Sequence, residues 1–147
     1  MRRLIAALAV LGALAAVPAS PARAFSGTLG GRILDTAETQ AGCWYAYGGA
    51  GPCRAGYDCS GTVYWAARQL GITMPRTTYG MLAGSAHLYR IPLSQARRGD
   101  LMFYGSGHVE IMTAWPDTTY GAQQTGTRLG WHRWGPYWQP TMAMRVR

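Results

Sequence analysis

The sequence predicts an α+β domain, because helical and strand patterns occupy different parts of the chain. Apolar residues recur at helical spacing in the first half, around residues 33–41 and 62–70. After Gly99, short segments rich in β-branched and aromatic residues are separated by turn residues. Helices followed by a run of strands favour N-terminal helices packed on an antiparallel β-sheet over an alternating βαβ arrangement.

The first 24 residues are predicted to be a secretory signal peptide, and residues 25–147 the folded domain. An arginine pair precedes an apolar stretch at Leu4–Val17, and Ala22–Ala24 has the small-x-small form of a cleavage site. The apolar stretch is too short and wrongly flanked for a spanning helix, so no stable membrane anchor is expected. The exported protein would begin at Phe25.

The charge of the chain excludes some partners. The formal net charge is +8, and three of the fourteen arginines lie in the first 24 residues, which leaves +5 for the domain. This modest charge suits an anionic polymer, and because the arginines form no basic stripe, nucleic-acid binding is not expected. Residues 25–147 are enough for one hydrophobic core, and a monomer is expected.

Three helices are predicted in the first part of the domain. Ile33–Ala41 places its apolar residues on one face, after a Gly-rich lead-in at Thr28–Arg32. Thr62–Leu70 carries one apolar stripe and ends before Gly71, which is a good helix stop. Thr78–Ala86 is the third helical stretch.

Four strands are predicted in the second part. Their bounds are Leu101–Tyr104, His108–Thr113, Thr118–Gln124 and Thr141–Val146. Ile91–Ala96 is predicted to be a connector, and His132 is predicted to lie in a loop.

The segment Tyr57–Gly61 (YDCSG) comes directly before the second helix, which puts Cys59 at a helix N-terminus. Unpaired N–H groups and the positive end of the helix dipole favour a thiolate there, and the thiolate is the nucleophilic form. The alternative is a buried structural cysteine or half of a disulfide.

The number of cysteines bears on this choice. The chain has three, and an exported domain is expected to pair two of them and leave one. Cys43 and Cys53 flank a segment able to fold back on itself, so these two are predicted to form the disulfide and Cys59 to be free. Pairing of Cys53 with Cys59 is the alternative.

A nucleophilic thiol needs a base, and His108 is predicted to supply it. It opens a strand directly after Gly105–Gly107, where a side chain can face a cleft. A structural histidine is the alternative, and His87 lies in a polar loop with no evident partner. A cysteine at a helix start followed by a histidine on a later strand is the papain-like order of roles.

Four segments, taken in order, resemble the NlpC/P60 peptidoglycan peptidases. They are Tyr45–Gly49 (YAYGG), Tyr57–Gly61 (YDCSG), Arg98–Leu101 (RGDL) and Gly107–Val109 (GHV), within a resemblance that covers about residues 33–124. It implies a papain-like fold in which Cys59 attacks an amide carbonyl in peptidoglycan stem peptides, next to D-glutamate or diaminopimelate. His108 then moves the proton and the Cys59 N–H holds the oxyanion. The expected location is the cell wall or periplasm after export.

The resemblance also suggests which residues bind substrate. Asp58 and Ser60 match family positions that line the substrate cleft, where a carboxylate can meet a substrate ammonium; helix capping is the alternative. Tyr45 and Tyr47 can wall the site, and packing in the core is the alternative. No metal is expected, since no C-x-x-C or H-E-x-x-H spacing is present, and no cofactor is expected either.

The sequence departs from the family at two positions. Glu110 stands where the family usually has glycine, a change expected to matter little. The third polar position, usually histidine, has no obvious match. If residues 114–117 form a loop, paired residue numbers sum to 231 and Gln123 faces His108, which predicts Gln123 as the third catalytic residue. Gln124 and His132 are the alternatives.

Two other functions fit the same residues. One is an amidase of the CHAP type, which cuts the bond between N-acetylmuramic acid and L-alanine. The other is a catalytically silent wall-binding module. Several aromatic residues late in the chain are predicted to pack in the core or in a lid, with a sugar-facing surface as the alternative: Trp115, Trp131, Trp134, Tyr137 and Trp138.

Overall fold

Helices pack on one face of a six-stranded antiparallel sheet in the computed structural model, which describes residues 27–147. The helices are α1 (Leu29–Glu38), α2 (Cys59–Gln69) and the short α3 (Thr78–Leu82). The predicted signal peptide and Phe25 lie outside the described residues. In the part of the chain that is described, no helix has the length and apolar character needed to cross a bilayer.

Both long helices begin earlier than their apolar stripes predict, because side-chain caps start them. Thr28 accepts a hydrogen bond from the Gly31 N–H at 3.1 Å, so α1 starts inside the stretch predicted to be a loose lead-in. Asp58 caps α2 by accepting from the Gly61 N–H at 2.6 Å. Cys59 therefore lies in the first turn of α2, as predicted.

The sheet contains the four predicted strands and two more. In chain order they are β1 (Leu88–Ile91), β2 (Leu101–Tyr104), β3 (His108–Met112), β4 (Thr118–Gly121), β5 (Gly130–Arg133) and β6 (Met142–Val146). Their order across the sheet is β1-β6-β2-β3-β4-β5. The prediction of a loop at His132 was wrong, since this residue pairs with Thr119 across β4 and β5. Both added strands are four-residue edge strands, too short for a clear alternating pattern.

The two faces of the sheet have different neighbours. Val109 and Ile111 of β3 belong to the main core with Ile33 of α1 and Val63 of α2. Because side chains alternate along a strand, His108 and Glu110 point to the opposite face. That face carries a smaller apolar cluster, which contains Ile91, Met102, Tyr104 and Ala143. The sheet thus separates the apolar, helix-covered core from the face that carries the polar residues of β3.

The predicted disulfide between Cys43 and Cys53 is confirmed, and Cys59 is free. The bond closes the loop that precedes α2. The Ala46 N–H donates to the Tyr57 carbonyl at 2.9 Å, which holds the loop beside the start of that helix. The loop that the disulfide closes is therefore a wall of the site around Cys59.

The Cys43→Ala/Cys53→Ala protein is expected to be less stable by about 2–3 kcal/mol, because the unfolded chain regains the entropy of a short closed loop. The measurement is urea denaturation of the oxidised wild type and of the double variant. A useful comparison is wild-type protein kept in reductant, which should match the variant. Equal stability of the oxidised wild type and the variant would contradict the prediction.

Candidate active site

Cys59 is placed by the tight start of α2. Its residue is 9% exposed, and the thiol points to the Gly107 carbonyl at 3.9 Å. A Cβ atom at Gly61 would lie 1.9 Å from the carbonyl oxygen of Gly49, so only glycine lets the preceding loop pack this closely on the first turn. The N–H groups of Cys59 and Ser60 lie in that turn, where a helix leaves its backbone donors without helical partners.

His108 lies at the start of β3, beside Cys59. Its ring rests against Tyr104 with 5.5 Å between ring centroids and against Trp138 with 5.9 Å. The side chain is 12% exposed. Two aromatic rings therefore flank the imidazole, which lines a cavity, as the sequence predicts for a histidine at the start of this strand.

Glu110 is the buried partner of His108. One carboxylate oxygen, Oε1, lies 3.2 Å from His108 Nε2 and 3.0 Å from His132 Nδ1. The other oxygen, Oε2, accepts a hydrogen bond from the Thr119 hydroxyl. The Glu110 side chain has no exposed surface. The expectation that glutamate at this position matters little was wrong, because its side chain lies at the centre of the polar cluster.

The charges of this cluster stabilise each other. Burial alone would lower the pKa of His108, but the hydrogen bonds to Cys59 and Glu110 and the charges of these groups raise that pKa to about 9. Burial alone would raise the pKa of Glu110, but the interactions with His108, His132 and Thr119 lower it to about 2. At neutral pH the imidazole is therefore an imidazolium facing a carboxylate.

This pair predicts a maximum of stability at mildly acidic pH. Glu110, with a pKa lowered from 4.5 to about 2, stabilises the fold above pH 4.5 and loses this effect as the pH falls towards 2. His108, with a pKa raised from 6.5 to about 9, stabilises it below pH 6.5 and loses this effect as the pH rises towards 9. We expect the free energy of unfolding to fall by on the order of 2 kcal/mol along each limb.

Urea denaturation across this pH range measures the effect. His108→Gln removes one titrating group, so its unfolding free energy should fall less than that of the wild type between pH 6.5 and 9. Parallel curves for the two proteins over that interval would contradict the assignment of the alkaline limb to His108.

The predicted register of the β3–β4 hairpin is confirmed, but it does not give His108 a partner at Gln123. Ile111 pairs with Tyr120 and Met112 with Thr119, both with the predicted sum. The regular strand ends at Gly121, so residues 122–124 leave the ladder before the position opposite His108. Within residues 27–147 the carboxylate that contacts the imidazole is that of Glu110. The catalytic role of Gln123 stays a prediction.

The residues predicted to bind substrate line a cavity of about 450 Å³ that opens beside Cys59. All four are there: Tyr45, Tyr47, Asp58 and Ser60. Tyr47 is 93% exposed, so its ring is a wall of the cleft and does not pack in the core.

Arg76 lines the same cavity and organises its polar floor. Its guanidinium donates to both carboxylate oxygens of Asp58, at 3.0 and 2.9 Å, and to the Ser60 hydroxyl oxygen at 3.1 Å. Asp58 also accepts from the Gly48 N–H at 3.0 Å. Asp58 therefore caps α2 and joins helix, loop and Arg76, so the capping alternative is confirmed for this residue.

A second cavity, of about 410 Å³, lies beside the imidazole. It is lined by His108, Gln123, Gln124 and Trp138. Trp138 stacks on Tyr104 with 5.1 Å between ring centroids and an interplanar angle of 11°, and 53% of it is exposed. Cys59 thus lines a cavity with charged groups, and His108 lines a second cavity with an aromatic wall and two amide side chains.

Comparisons with known proteins agree with this geometry. The model of the NlpC/P60 family matches residues 42–145. The chain belongs to the NlpC/P60 family. It is 36% identical over 112 residues to the probable endopeptidase p60 of Listeria monocytogenes, a match covering 71% of this chain and 22% of that protein. It is 33% identical over 92 residues to the peptidoglycan endopeptidase RipB of Mycobacterium tuberculosis, covering 55% of this chain and 37% of that protein.

Solved structures confirm the papain-like α+β fold of this NlpC/P60 domain. The crystal structure of the NlpC/p60 domain of the peptidoglycan hydrolase SagA superposes with a TM-score of 0.66 at 28% identity, over 78% of this chain and 96% of that one. This chain spans only part of the length of both curated relatives, 22% and 37%.

For this NlpC/P60 site, sequence reasoning missed Arg76, placed His132 in a loop as an alternative to Gln123, and gave Glu110 no role. Arg76 gave no signal, since it reaches Asp58 from 18 positions further along the chain. His132 lies on an edge strand that the pattern did not reveal. Glu110 did give a signal, because it is the one charged residue of an otherwise apolar run, VEIM, and a carboxylate in a buried strand needs a partner. Within residues 27–147, no group of His, Cys, Asp and Glu side chains is arranged to hold a metal ion.

Proposed function

We propose that this protein is a cysteine endopeptidase that hydrolyses amide bonds in the peptide stems of peptidoglycan. The observation that carries the proposal is a free cysteine in the first turn of a helix, next to a histidine kept protonated by a buried carboxylate, in an open cleft. The names of the two relatives, a probable endopeptidase and a peptidoglycan endopeptidase, support the reaction class and the substrate.

The proposed reaction has two stages. The Cys59 thiolate attacks the carbonyl carbon of the scissile amide, and the oxyanion that forms accepts hydrogen bonds from N–H groups of the first turn of α2. His108 gives its proton to the departing amine, which leaves a thioester on Cys59. His108 then takes a proton from water, whose oxygen attacks the thioester, and this step releases the carboxylic acid product and restores the Cys59 thiolate and the His108 imidazolium.

The charges in the cavity beside Cys59 suit a stem peptide. Such peptides carry carboxylates next to the amides that join their D-glutamate and diaminopimelate residues. Arg76 is paired with Asp58 but its side chain is 31% exposed, so part of the guanidinium faces the cavity and can meet a substrate carboxylate. Asp58 supplies the opposite charge for a substrate ammonium. We assign the binding of the stem to these two residues with Ser60, Tyr45 and Tyr47.

The test is incubation of the purified protein with purified peptidoglycan, followed by mass analysis of the released material. Shortened stems are the expected products. Intact stems with a free N-terminal alanine would show the amidase of the alternative prediction. Co-sedimentation with the wall and no release by a correctly folded protein would show a binding module and contradict the proposal. The Cys59→Ala protein is the control for contaminating hydrolases.

Export is part of the proposal, since the substrate lies outside the membrane. The signal-peptide pattern of the first 24 residues supports it, with the disulfide between Cys43 and Cys53 as a second argument because such bonds persist in oxidising compartments. Sequencing the N-terminus of protein recovered outside the cytoplasm should give Phe25. Recovery with Met1 intact would contradict cleavage.

A further inference from the structure

We propose that Glu110 is the residue that positions the imidazole of His108 for the reaction, from the same strand as His108. The inference rests on the proposed function and adds a residue to its site. In this arrangement the third polar group lies two residues after the histidine on the same strand, and the residue that faces it on β4 is Gly121, which has no side chain.

The first argument is direction. His108 and Glu110 are two residues apart on β3, so both side chains point to the same face of the sheet. Glu110 Oε1 lies 3.2 Å from His108 Nε2. A carboxylate accepts hydrogen bonds only, so Nε2 is the donor and keeps its proton. The other ring nitrogen, Nδ1, is then left to exchange a proton with Cys59.

The second argument is fixation of the carboxylate itself. The Thr119 hydroxyl donates to Glu110 Oε2, and the Thr119 oxygen lies 3.1 Å from the hydroxyl of Tyr104. Since Thr119 uses its own proton on Glu110, Tyr104 is the donor in the second contact. His132 Nδ1 lies 3.0 Å from Oε1. Thr119 on β4 thus holds one carboxylate oxygen, His132 on β5 lies close to the other, and Tyr104 on β2 fixes Thr119 in turn.

The third argument is space on the facing strands. Gly121 stands opposite Glu110 when the β3–β4 register is continued by one pair, and Gly130 pairs with Gly121 on β5. A Cβ atom at Gly121 would lie 2.9 Å from Glu110 Cγ and 3.4 Å from its Cβ. The glycine therefore leaves the room that the glutamate side chain fills on its way towards His132.

The fourth argument is charge. The titratable groups that face the Glu110 carboxylate are His108 from its own strand, His132 from β5 and Tyr104 from β2. A carboxylate among these groups stabilises the imidazolium, which a neutral amide does far less. Gln123, which lines the cavity beside His108, can offer only an amide. Glu110 therefore orients the ring and also favours its protonated form.

The experiment is a histidine NMR titration of the purified protein, which needs no substrate. The chain has only three histidines, so single substitutions assign the signals. We expect the titration midpoint of His108 to fall by about one pH unit or more in Glu110→Gln, because the amide keeps the shape of the side chain and removes its charge. Gln123→Ala is the matched control and should leave the midpoint in place. An unchanged midpoint in Glu110→Gln, or an equal fall in Gln123→Ala, would overturn the proposal.

A second measurement covers the case in which Glu110→Gln does not fold. In the wild-type protein above its midpoint, the nitrogen shifts of His108 should report a proton on Nε2, and this proton should exchange slowly because it is hydrogen-bonded. Gln123→Ala should keep the slow exchange. A proton on Nδ1 in the wild type, or loss of protection in Gln123→Ala, would contradict Glu110 as the acceptor.

Turnover separates this proposal from the proposed function. On peptidoglycan, folded Glu110→Gln should lose about a hundredfold or more in kcat with little change in KM, because the substrate cavity is untouched. Glu110→Asp, which keeps the charge, should recover part of the loss. If wild-type protein releases nothing from the wall while the His108 midpoint still falls in Glu110→Gln, the proposed function fails and the positioning of His108 by Glu110 stands. Wild-type kcat in Glu110→Gln would overturn the positioning.

Discussion

Cys59→Ala is expected to abolish the hydrolysis of peptidoglycan and to leave the fold intact. Of the three cysteines, Cys59 is the free one. Its substitution by alanine removes only the sulfur atom, which lies at the edge of the core. Without the sulfur no thioester can form, so turnover should fall by roughly 10⁴-fold or more. The measurement is the rate of product release followed by mass analysis, with thermal unfolding of both proteins as the check on folding.

The double variant Cys59→Ala/His108→Ala sharpens this result. The two residues act as one unit, so loss of both should cost no more than loss of Cys59 alone. Hydrolysis near the wild-type rate by pure Cys59→Ala protein would exclude Cys59 as the nucleophile.

His108→Ala is expected to lower turnover by about three orders of magnitude or more, since both the donor for the departing amine and the base for the water are lost. The matched control is His87→Ala. His87 lies in the turn before β1 and lines neither of the two cavities beside Cys59 and His108, and its Nδ1 contacts the Arg147 carbonyl at 3.2 Å. Its removal should leave turnover close to the wild type.

Alkylation of Cys59 gives a second readout for His108. A small neutral reagent such as iodoacetamide reacts with the thiolate, so its rate near neutral pH should fall in His108→Ala as the imidazolium that faces the thiolate is lost. A large loss of turnover in His87→Ala, together with wild-type turnover in His108→Ala, would show that His108 is not the base.

The elements that could be predicted from the sequence are those whose signals are local. Cys59 follows a capping residue and precedes an apolar stripe, and the register of the β3–β4 hairpin follows from Pro116 and Asp117 in its loop. These local rules placed Cys59 and His108, the proposed nucleophile and base, on the correct elements. They also gave the correct pairing numbers for Ile111 and Met112.

These rules could not predict the partner of His108, because strand pairing fixes which residues face each other but not how far their side chains extend. Counting pairs led to Gln123, whereas the contact with the imidazole comes from Glu110 on the same strand. The path of the Glu110 side chain depends on the space left by Gly121. A search for polar partners in the sequence does not consider such a glycine, because it has no side chain. Arg76 was missed for a related reason, since its contact with Asp58 is set by tertiary packing.

Because of the disulfide, the structure of the site depends on the redox state of the compartment in which the protein lies. Cys43 and Cys53 close the loop that contributes Tyr45, Tyr47 and Gly48 to the cleft, and this covalent tie exists only after oxidation. A newly made chain in a reducing cytoplasm has the nucleophile and the base but lacks the tie on one wall of the cleft. If the protein is exported as proposed, the cleft is completed only when the protein reaches an oxidising compartment, which is where the proposed substrate lies.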